Sequence, residues 1–277
     1  MGRVLIIGGS AGLTGAVVLA AEAALRAGAG LVTCAVPAAL STILEIKTTE
    51  AMTLPLADGG DGILSPVSLH GLVERLETVD AVVLGPGLGR AAKTTAFLRA
   101  LFPRLLGPTV IDADALWHAA ELRDALTSGH ARRVFTPHGG EFARLLDALD
   151  LPNRDRQETA QRFCDRVPGT LALKGPGTVV CDADQLTVNP TGNPGMATGG
   201  TGDVLAGIIG AFLARGDRSG DAARRGVYLH GAAGDLAAAA IGEESLIASD
   251  VTDALPSAIL GFQESLALRE NDRERRP

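Results

Sequence analysis

The strongest chemical signal in the sequence is a glycine-rich segment that leads into an apolar helix late in the chain. Residues 193–203 have the sequence N-P-G-M-A-T-G-G-T-G-D, and the apolar stretch V-L-A-G-I-I-G-A-F-L-A follows. Free backbone N–H groups and the positive end of the helix dipole make such a helix start an anion site. Glycine suits it because a Cβ would hold a phosphate away from the backbone. The segment therefore predicts a phosphate-binding loop.

The acid at the start of this helix, Asp203, has two interpretations. Aspartate is a preferred N-cap residue, so Asp203 could simply cap the helix. A carboxylate beside a bound phosphate is electrostatically unfavourable unless it has a task, and deprotonating a substrate hydroxyl during phosphoryl transfer is such a task. The density of glycine favours this second interpretation. The segment is not a Walker A loop, because no lysine follows its last glycine, and it lacks the G-x-G-x-x-G fingerprint of dinucleotide-binding folds.

A second polar loop, L-K-G-P-G-T, joins two predicted strands and contains Lys174. Its backbone and its lysine could clasp an adenylate or its phosphates. The alternative is a glycine turn with a solvated lysine, and the spacing alone leaves both interpretations open.

Two further segments place chemically capable side chains after predicted strands. His138 lies in P-H-G-G-E, where we expect it to contact a ligand rather than only to cap a helix. Asp112 and Asp114 flank one alanine and could either hold a metal ion through water or cap the following helix. No Ser-His-Asp triad, H-E-x-x-H motif or Cys/His zinc spacing is apparent in the sequence. No residue is therefore assigned as a metal ligand.

The elements that must position these residues alternate between short apolar runs and helical patterns. The predicted strands cover residues 4–7, 31–36, 79–84, 109–112, 133–136, 171–174, 178–181 and 185–188. The predicted helices include residues 14–27, 203–215 and 220–240, the first with Thr14 as its N-cap and Gly28 as its stop. This alternation predicts a mostly parallel sheet covered by helices on both faces. Ligands bind such sheets outside the carboxyl ends of the strands, where the polar loops are expected to meet.

Composition limits the class of protein. The chain has 277 residues, 46% of them apolar, and a net charge of −7, which makes nucleic acid an unexpected partner. No apolar run is long enough for a membrane span. The three cysteines lie far apart, as expected of free thiols in a reducing cytoplasm. We expect a cytoplasmic protein with small-molecule partners, one domain over residues 1–263 and a charged, frayed tail over residues 264–277.

The motifs resemble those of the ADP-dependent NAD(P)H-hydrate dehydratases, a family of the ribokinase-like superfamily. The matching stretches are residues 7–16, 24–32, 83–89, 111–116, 136–141, 193–207 and 248–250. The run N-P-G-M-A-T-G-G-T-G-D-V-L is highly specific, whereas the shorter stretches are supportive.

This resemblance implies a three-layer α/β/α sandwich around a mostly parallel central sheet. It also implies that ADP and Mg²⁺ convert the S epimer of hydrated NADH or NADPH to NAD(P)H, AMP and phosphate. Asp203 would be the base. Ala16, Gly89, His138 and Asp203 would contact the hydrated cofactor, and ADP or AMP would contact Lys174, Gly175, Pro176, Gly177, Thr178 and Gly202. A homotetramer is the expected assembly.

Two departures from the family pattern and two rival hypotheses accompany the resemblance. Relatives usually have a leader with a basic turn before the first strand, and bifunctional members have a separate epimerase domain; we expect neither here.

One rival is a ribokinase-like kinase of a vitamin-precursor alcohol, which would leave a stable phosphate ester. The other is a nucleotide-binding regulatory protein without catalysis, against which an intact Asp203 argues.

Overall fold

A computed structural model describes the backbone of residues 1–274 and the side chains of residues 1–268. Within this range nine strands form one sheet in the order β3-β2-β1-β4-β5-β6-β7-β8-β9. The strands are β1 Arg3–Ile7, β2 Leu31–Pro37, β3 Met52–Leu56, β4 Ala81–Leu84, β5 Thr109–Ile111, β6 Arg133–Phe135, β7 Thr170–Leu173, β8 Val179–Cys181 and β9 Leu186–Val188. The pairings from β3 to β7 are parallel, and β8 and β9 continue the sheet antiparallel.

Helices cover both faces of this sheet. They are α1 Thr14–Arg26, α2 Ser41–Lys47, α3 Val73–Leu76, α4 Ala92–Leu101, α5 Ala113–Glu121, α6 Arg123–Thr127, α7 Gly139–Leu149, α8 Arg156–Arg166, α9 Thr201–Ala214, α10 Ser219–Ile241 and α11 Ala248–Glu274. Alternate side chains of β1 enter two separate cores: Val4 and Ile6 pack with α1, α9, α10 and α11, whereas Leu5 and Ile7 pack with α4, α5, α7 and α8. The three-layer α/β/α sandwich is confirmed.

The core near α9 depends on small residues. A Cβ on Gly207 would collide with the backbone of Ala20 in α1, and a Cβ on Gly210 would collide with Val83 in β4. Glycine therefore lets α9 approach both a neighbouring helix and the sheet, in a chain with only 3% aromatic residues. This close packing fixes the position of the amino end of α9.

Several details differ from the sequence-based predictions. Strand β3 was not predicted, because M-T-L-P-L contains a proline, which a ladder tolerates only at a sheet edge, and β3 is such an edge. The prediction that Thr14 caps α1 is wrong: the helix begins at Thr14, and Leu13 precedes it without a side-chain cap. Gly28, with φ +95°, is confirmed as the residue that ends α1.

The C-terminal region was predicted as a charged tail from residue 264. Helix α11 continues to Glu274, and residues 275–277 lie outside the described residues. The division into one domain and a tail therefore stays a prediction. In the part of the chain that the structure describes, no helix is both long and apolar enough to cross a membrane.

Candidate active site

The polar loops that follow β1 and β4 are joined at the carboxyl edge of the sheet. The backbone N–H of Gly9 donates to the carbonyl of Pro86 at 2.8 Å, and the Ser10 hydroxyl donates to the carbonyl of Gly87 at 2.9 Å. A Cβ on Gly87 would lie 3.3 Å from the Cβ of Ala16, near the amino end of α1. The structure thus brings the amino end of α1, which contains the predicted substrate-binding residue Ala16, to the loop after β4, which contains Gly89.

Gly89 is held by partners on α5. Its N–H donates to Asp114 Oδ2 at 2.9 Å, and its carbonyl lies 2.9 Å from His118 Nε2. Asp114 also accepts from Arg90 Nε at 2.9 Å. Asp114 therefore orders the loop after β4 and does not cap α5. With φ +73°, Gly89 has a backbone conformation that favours glycine.

Among the described residues, no side chain caps the amino end of α9. Gly200 is the N-cap residue with φ +94°, so Asp203 lies in the first turn and is not the N-cap. The interpretation of Asp203 as an ordinary cap is therefore wrong. Within residues 200–202 the positive φ belongs to Gly200, whereas Gly202 has no positive φ and lies in α9. The first N–H groups of α9 remain available to an anion.

Lys174 does not extend into solvent from the loop after β7. Its Nζ donates to Asp112 Oδ1 at 2.8 Å, and the two side chains are 18% and 1% exposed. The same Asp112 oxygen accepts from the Thr136 hydroxyl at 2.7 Å. A Cβ on Gly202 would lie 3.0 Å from Lys174 Nζ, so the ammonium lies at the amino end of α9.

The rest of the predicted nucleotide loop separates from Lys174. Gly175, Pro176 and Gly177 are exposed, and Gly175 and Gly177 have φ +139° and φ +59°. The Thr178 hydroxyl donates to the carbonyl of Gly175 at 3.2 Å and closes the turn. The structure thus brings Lys174 and Gly202 together and leaves 175–177 as an exposed turn beside them.

The carboxyl of Asp203 is a much weaker acid than an ordinary aspartate. Burial, and then the negative charge of Asp112, raise the pKa of Asp203 to about 7; the positive charge of Lys174 opposes them, and Asp114 and Glu141 add to the rise. A general base works best when its pKa is near the operating pH. The environment of Asp203 therefore suits the role of a base that accepts a proton from a hydroxyl.

His138 caps a helix, a role that the sequence-based prediction placed second. Its Nδ1 accepts from the N–H groups of Gly140 and Glu141 at 3.0 and 3.2 Å, and Glu141 Oε2 accepts from the His138 N–H at 2.9 Å. This reciprocal pair begins α7. Because Nδ1 accepts, the ring proton of the neutral form sits on Nε2. The His138 side chain is 58% exposed, so a ligand contact through Nε2 stays a prediction.

Asp112 does not cap α5 with its side chain, although it holds the N-cap position. The next residue, Ala113, has φ +49°, a conformation that residues with a Cβ seldom adopt and that clusters at functional sites. The Oδ2 atom of Asp112 is buried without a hydrogen-bond partner among the described residues. Within the same residues no group of three or more metal-ligating side chains is found.

Sequence reasoning missed two residues of α10 that support the glycine-rich segment. His230 Nε2 lies 2.9 Å from the carbonyl of Thr201, the first residue of α9, and burial lowers the pKa of His230 to about 4. Asp235 accepts from the N–H of Gly192 at 2.9 Å and from Asn193 Nδ2 at 3.0 Å. The available signal was the motif H-G-A-A-G-D, whose glycines let α10 pack closely on the segment.

The fold is that of the ribokinase-like superfamily, and its site gathers an acid and a lysine at a glycine-rich helix start. The NAD(P)H-hydrate dehydratase family model, Carb_kinase, matches residues 4–257. The chain belongs to the NAD(P)H-hydrate dehydratase family.

Three similar proteins illustrate this relationship. The bifunctional NAD(P)H-hydrate repair enzyme Nnr of Moorella thermoacetica is 48% identical over 267 residues, which are 96% of this chain and 50% of that protein. A ribokinase-like superfamily protein of Enterococcus faecalis has a TM-score of 0.80 at 30% identity, covering 94% of this chain and 87% of that one. The ADP/ATP-dependent NAD(P)H-hydrate dehydratase of Bacillus subtilis, co-crystallised with ATP/Mg²⁺, has a TM-score of 0.74 at 26% identity, covering 94% and 90%. The chain spans about half the length of the curated relatives it matches.

Proposed function

We propose that this chain repairs hydrated nicotinamide cofactors by a nucleotide-dependent dehydration. The substrate is the S epimer of hydrated NADH or NADPH, the phosphoryl donor is ADP, and the products are NAD(P)H, AMP and phosphate. The single observation that carries the proposal is that Asp203, whose pKa burial raises to about 7, and the Lys174 ammonium both lie at the amino end of α9. Membership of the dehydratase family supports the choice of substrate.

The first step is phosphoryl transfer. Asp203 accepts the proton of the ring hydroxyl as its oxygen bonds to the terminal phosphorus of ADP, and the bond from that phosphorus to the bridging oxygen breaks to leave AMP. The N–H groups of residues 201–203 and the Lys174 ammonium face the charge that develops on the phosphoryl oxygens. Hydrogen-bond donors that are already in place need no reorganisation at the moment of transfer.

The second step restores the ring. Hydroxide is a poor leaving group, whereas phosphate is a good one. The lone pair of the ring nitrogen expels phosphate from the adjacent carbon, and loss of a proton from the neighbouring carbon re-forms the double bond. Phosphorylation therefore serves only to make the hydroxyl leave, and no phosphate ester accumulates.

Mg²⁺ fits this site as an ion that arrives on the nucleotide. The Asp112 oxygen that has partners is engaged by Lys174 and Thr136, and the described side chains offer no cage of three ligands. Phosphate oxygens and water are the ligands that Mg²⁺ prefers when it is bound with a nucleotide. When bound, the ion neutralises phosphate charge. Lys174 and the amides of α9 would hold the same phosphates in place.

The subsites follow from the placement of the loops. Ala16, Gly89 and His138 would form the hydrated-cofactor side, since the loops after β1 and β4 are joined at the same edge and the His138 side chain is exposed, with its Nε2 lying 3.4 Å from Glu141 Oε1. The exposed turn 175–177, the half-buried Thr178 and Gly202 would form the nucleotide side, next to Lys174. Asp203, in the first turn of α9 next to Gly202, would act where the hydroxyl and the phosphoryl group meet.

Assembly and location are proposed as a cytoplasmic homotetramer. Exposed apolar side chains on the outer helices, among them Leu236 at 46% and Leu260 at 60%, favour burial against further copies. The three cysteines are free thiols, which persist in a reducing compartment. Light scattering coupled to gel filtration tests the assembly, and a monomeric mass would contradict it.

One incubation tests the reaction. The protein is mixed with hydrated NADH and either ADP or ATP, with and without Mg²⁺, and the return of NADH absorbance is followed while AMP and phosphate are measured. With ADP as donor we expect NADH, AMP and phosphate in equal amounts, and with ATP as donor ADP takes the place of AMP. The reaction should require Mg²⁺ and should be ~10² to 10⁴-fold slower with the Asp203→Asn variant. Accumulation of a stable phosphate ester of an alcohol would show a kinase instead. Absence of any turnover would leave a nucleotide-binding protein.

A further inference from the structure

A buried carboxylate, Asp112, is paired with the Lys174 ammonium of the candidate active site. Asp112 is 1% exposed, and its Oδ1 atom receives the Lys174 ammonium at 2.8 Å and the Thr136 hydroxyl at 2.7 Å. Both oxygens of a buried carboxylate normally have partners, because unpaired buried charge is costly. Oδ2 has no partner among the described residues. Asp112 is therefore held by Thr136 and Lys174 through one oxygen, an arrangement that stability alone does not require.

Lys174 is held away from the loop to which it belongs. The turn 175–177 that follows it is exposed, whereas the lysine side chain turns inward and is 18% exposed. Its backbone N–H donates to the carbonyl of Pro137 at 2.8 Å, which fixes the root of the side chain. An ammonium has three donors, and Asp112 takes one of them. The ammonium lies at the amino end of α9, where a Cβ on Gly202 would be 3.0 Å away.

We propose that Asp112, supported by Thr136, is a positioning residue that holds the Lys174 ammonium against the terminal phosphoryl group of ADP rather than against its adenylate. This inference rests on the proposed function. In this arrangement the Lys174 ammonium contacts the phosphoryl group that is transferred. Residues 175–178 contact the nucleoside and the phosphate that remain as AMP.

The charges around the site support this assignment. Burial, together with the negative charges of Asp112, Asp114 and Glu141, raises the pKa of Asp203, and burial with the charge of Asp112 raises the pKa of Glu141. Burial alone would lower the pKa of Lys174, but the negative charges of Asp112, Glu141 and Asp203 outweigh it, so its pKa is raised and the lysine stays charged. An anionic phosphoryl group entering among carboxylates needs a fixed cation beside it. Asp112 keeps that cation where the base Asp203 must act.

Comparison of ADP and AMP binding tests the inference without relying on turnover. Calorimetric titration in the presence of Mg²⁺ measures both dissociation constants for the wild type and for Lys174→Met, Asp112→Asn and Thr136→Val. Hydrogen bonds to charged groups contribute about 1.5–3 kcal/mol, which is roughly a 10- to 100-fold change in affinity. We expect the preference for ADP over AMP to fall by about that factor in Lys174→Met and Asp112→Asn, while the AMP dissociation constant changes by less than about threefold.

Matched controls separate positioning from general damage. Asp182 forms a similarly short ion pair with Arg224, at 2.8 Å and 12% and 21% exposed, at the turn between β8 and β9. Asp182→Asn removes a comparable pair outside the site and should leave the ADP preference unchanged. Lys47→Met removes one exposed lysine charge from α2 and should do the same. Thr136→Ser keeps the hydroxyl and should restore the preference that Thr136→Val loses.

A further variant covers the case in which a single substitution prevents folding, because an uncompensated buried charge can do so. If Lys174→Met or Asp112→Asn does not fold, the double variant Asp112→Asn/Lys174→Met removes both charges and is titrated instead. It should fold and still lack the ADP preference. Retention of the wild-type preference by the folded double variant would overturn the inference.

Three further outcomes are decisive. Equal loss of AMP and ADP affinity in Lys174→Met would assign the lysine to the adenylate and overturn the inference. A wild type that binds ADP no more tightly than AMP would also overturn it. A wild type that shows the ADP preference but no dehydration of hydrated NADH contradicts the proposed function, and leaves the assignment of the lysine to the terminal phosphate standing.

Discussion

A Cβ on Gly202 would lie 3.0 Å from the Nζ atom of Lys174, so the amino end of α9 and the loop after β7 converge at one point. The Lys174 ammonium also donates a hydrogen bond to Asp112, which is 62 residues earlier in the chain. Three distant segments therefore meet where the helix presents its free N–H groups. This convergence is the basis for the phosphate side of the proposed site.

The first prediction concerns Gly202→Ala. The added methyl group would press on the flexible end of Lys174 and occupy space that a phosphate needs at the helix start. We expect turnover and AMP affinity to fall sharply, while the melting temperature moves little. Calorimetry with AMP, a turnover assay and a thermal melt measure the three quantities.

Gly261→Ala is the matched control for this variant. Gly261 lies in α11, and a Cβ there meets nothing within 4 Å. Alanine in a helix interior is favoured over glycine by roughly 0.5–1 kcal/mol, so this control should be slightly more stable and fully active. If Gly202→Ala behaves like Gly261→Ala, the amino end of α9 does not bind phosphate.

The second prediction is the loss of activity in Asp203→Asn. Asparagine keeps the shape of the side chain but cannot accept the hydroxyl proton. General-base catalysis typically contributes ~10² to 10⁴-fold in rate, so kcat should fall by that factor. Steady-state kinetics measure it. If the variant keeps more than roughly a third of wild-type turnover against that expected loss, Asp203 is not the base.

The third prediction is the pH dependence of the wild type. The base acts only when it is deprotonated, and burial with the charge of Asp112 raises the pKa of Asp203 to about 7. kcat/KM should therefore rise with pH through an apparent pKa near this value and level off above it. A profile of kcat/KM across this range reports the free enzyme. A profile already flat down to the ordinary range of a carboxyl, near 3.8, would assign the base elsewhere.

The fourth prediction links the same group to stability. The folded chain holds Asp203 at a pKa of about 7 against 3.8 in its ordinary state, so the unfolded chain releases this proton at lower pH. Below its ordinary pKa the Asp203 carboxyl is protonated in both the folded and the unfolded chain and costs no stability. As pH rises from there to about 7, it progressively destabilises the fold. The cost above that pH is at most about 4 kcal/mol, from about 1.4 kcal/mol for each pH unit.

Asp203→Asn removes this cost and should raise the melting temperature more at alkaline than at mildly acidic pH. A gain of 1 kcal/mol corresponds to roughly 2–4 °C in a chain of about this size. Thermal melts of wild type and variant across the pH range measure the difference. An equal change in melting temperature at every pH would show that the Asp203 carboxyl ionises normally.

The fifth prediction separates the two roles of His138. Asparagine is a preferred N-cap, so His138→Asn should keep the start of α7 stable but remove the exposed Nε2 donor. We expect an unchanged melting temperature and a raised KM for the hydrated cofactor. His138→Ala should lose both functions, with about 1 kcal/mol of stability lost with the cap. If His138→Asn has a wild-type KM, the ring only caps the helix.

The sequence by itself determined the features that depend on neighbours in the chain. Alternating apolar runs marked eight of the nine strands within residues 1–274, because burial on two faces requires such runs. The exception, β3, carries Pro55 on an edge, where the hydrophobic pattern is weak. The glycine-rich start of α9 was likewise visible, since free N–H groups and glycine have a local signature.

Only the tertiary structure decided what the polar side chains contact. Spacing could not show that Lys174 turns inward to Asp112, because an ion pair between segments 62 residues apart is set by the order of the parallel strands. It could not show that Asp203 is buried among other carboxylates, and burial is what raises its pKa. The sequence around His138 is the same whether its side chain caps a helix or contacts a ligand. The physical reason is that charge, burial and hydrogen bonding are properties of neighbours in space, and the sheet brings those neighbours together.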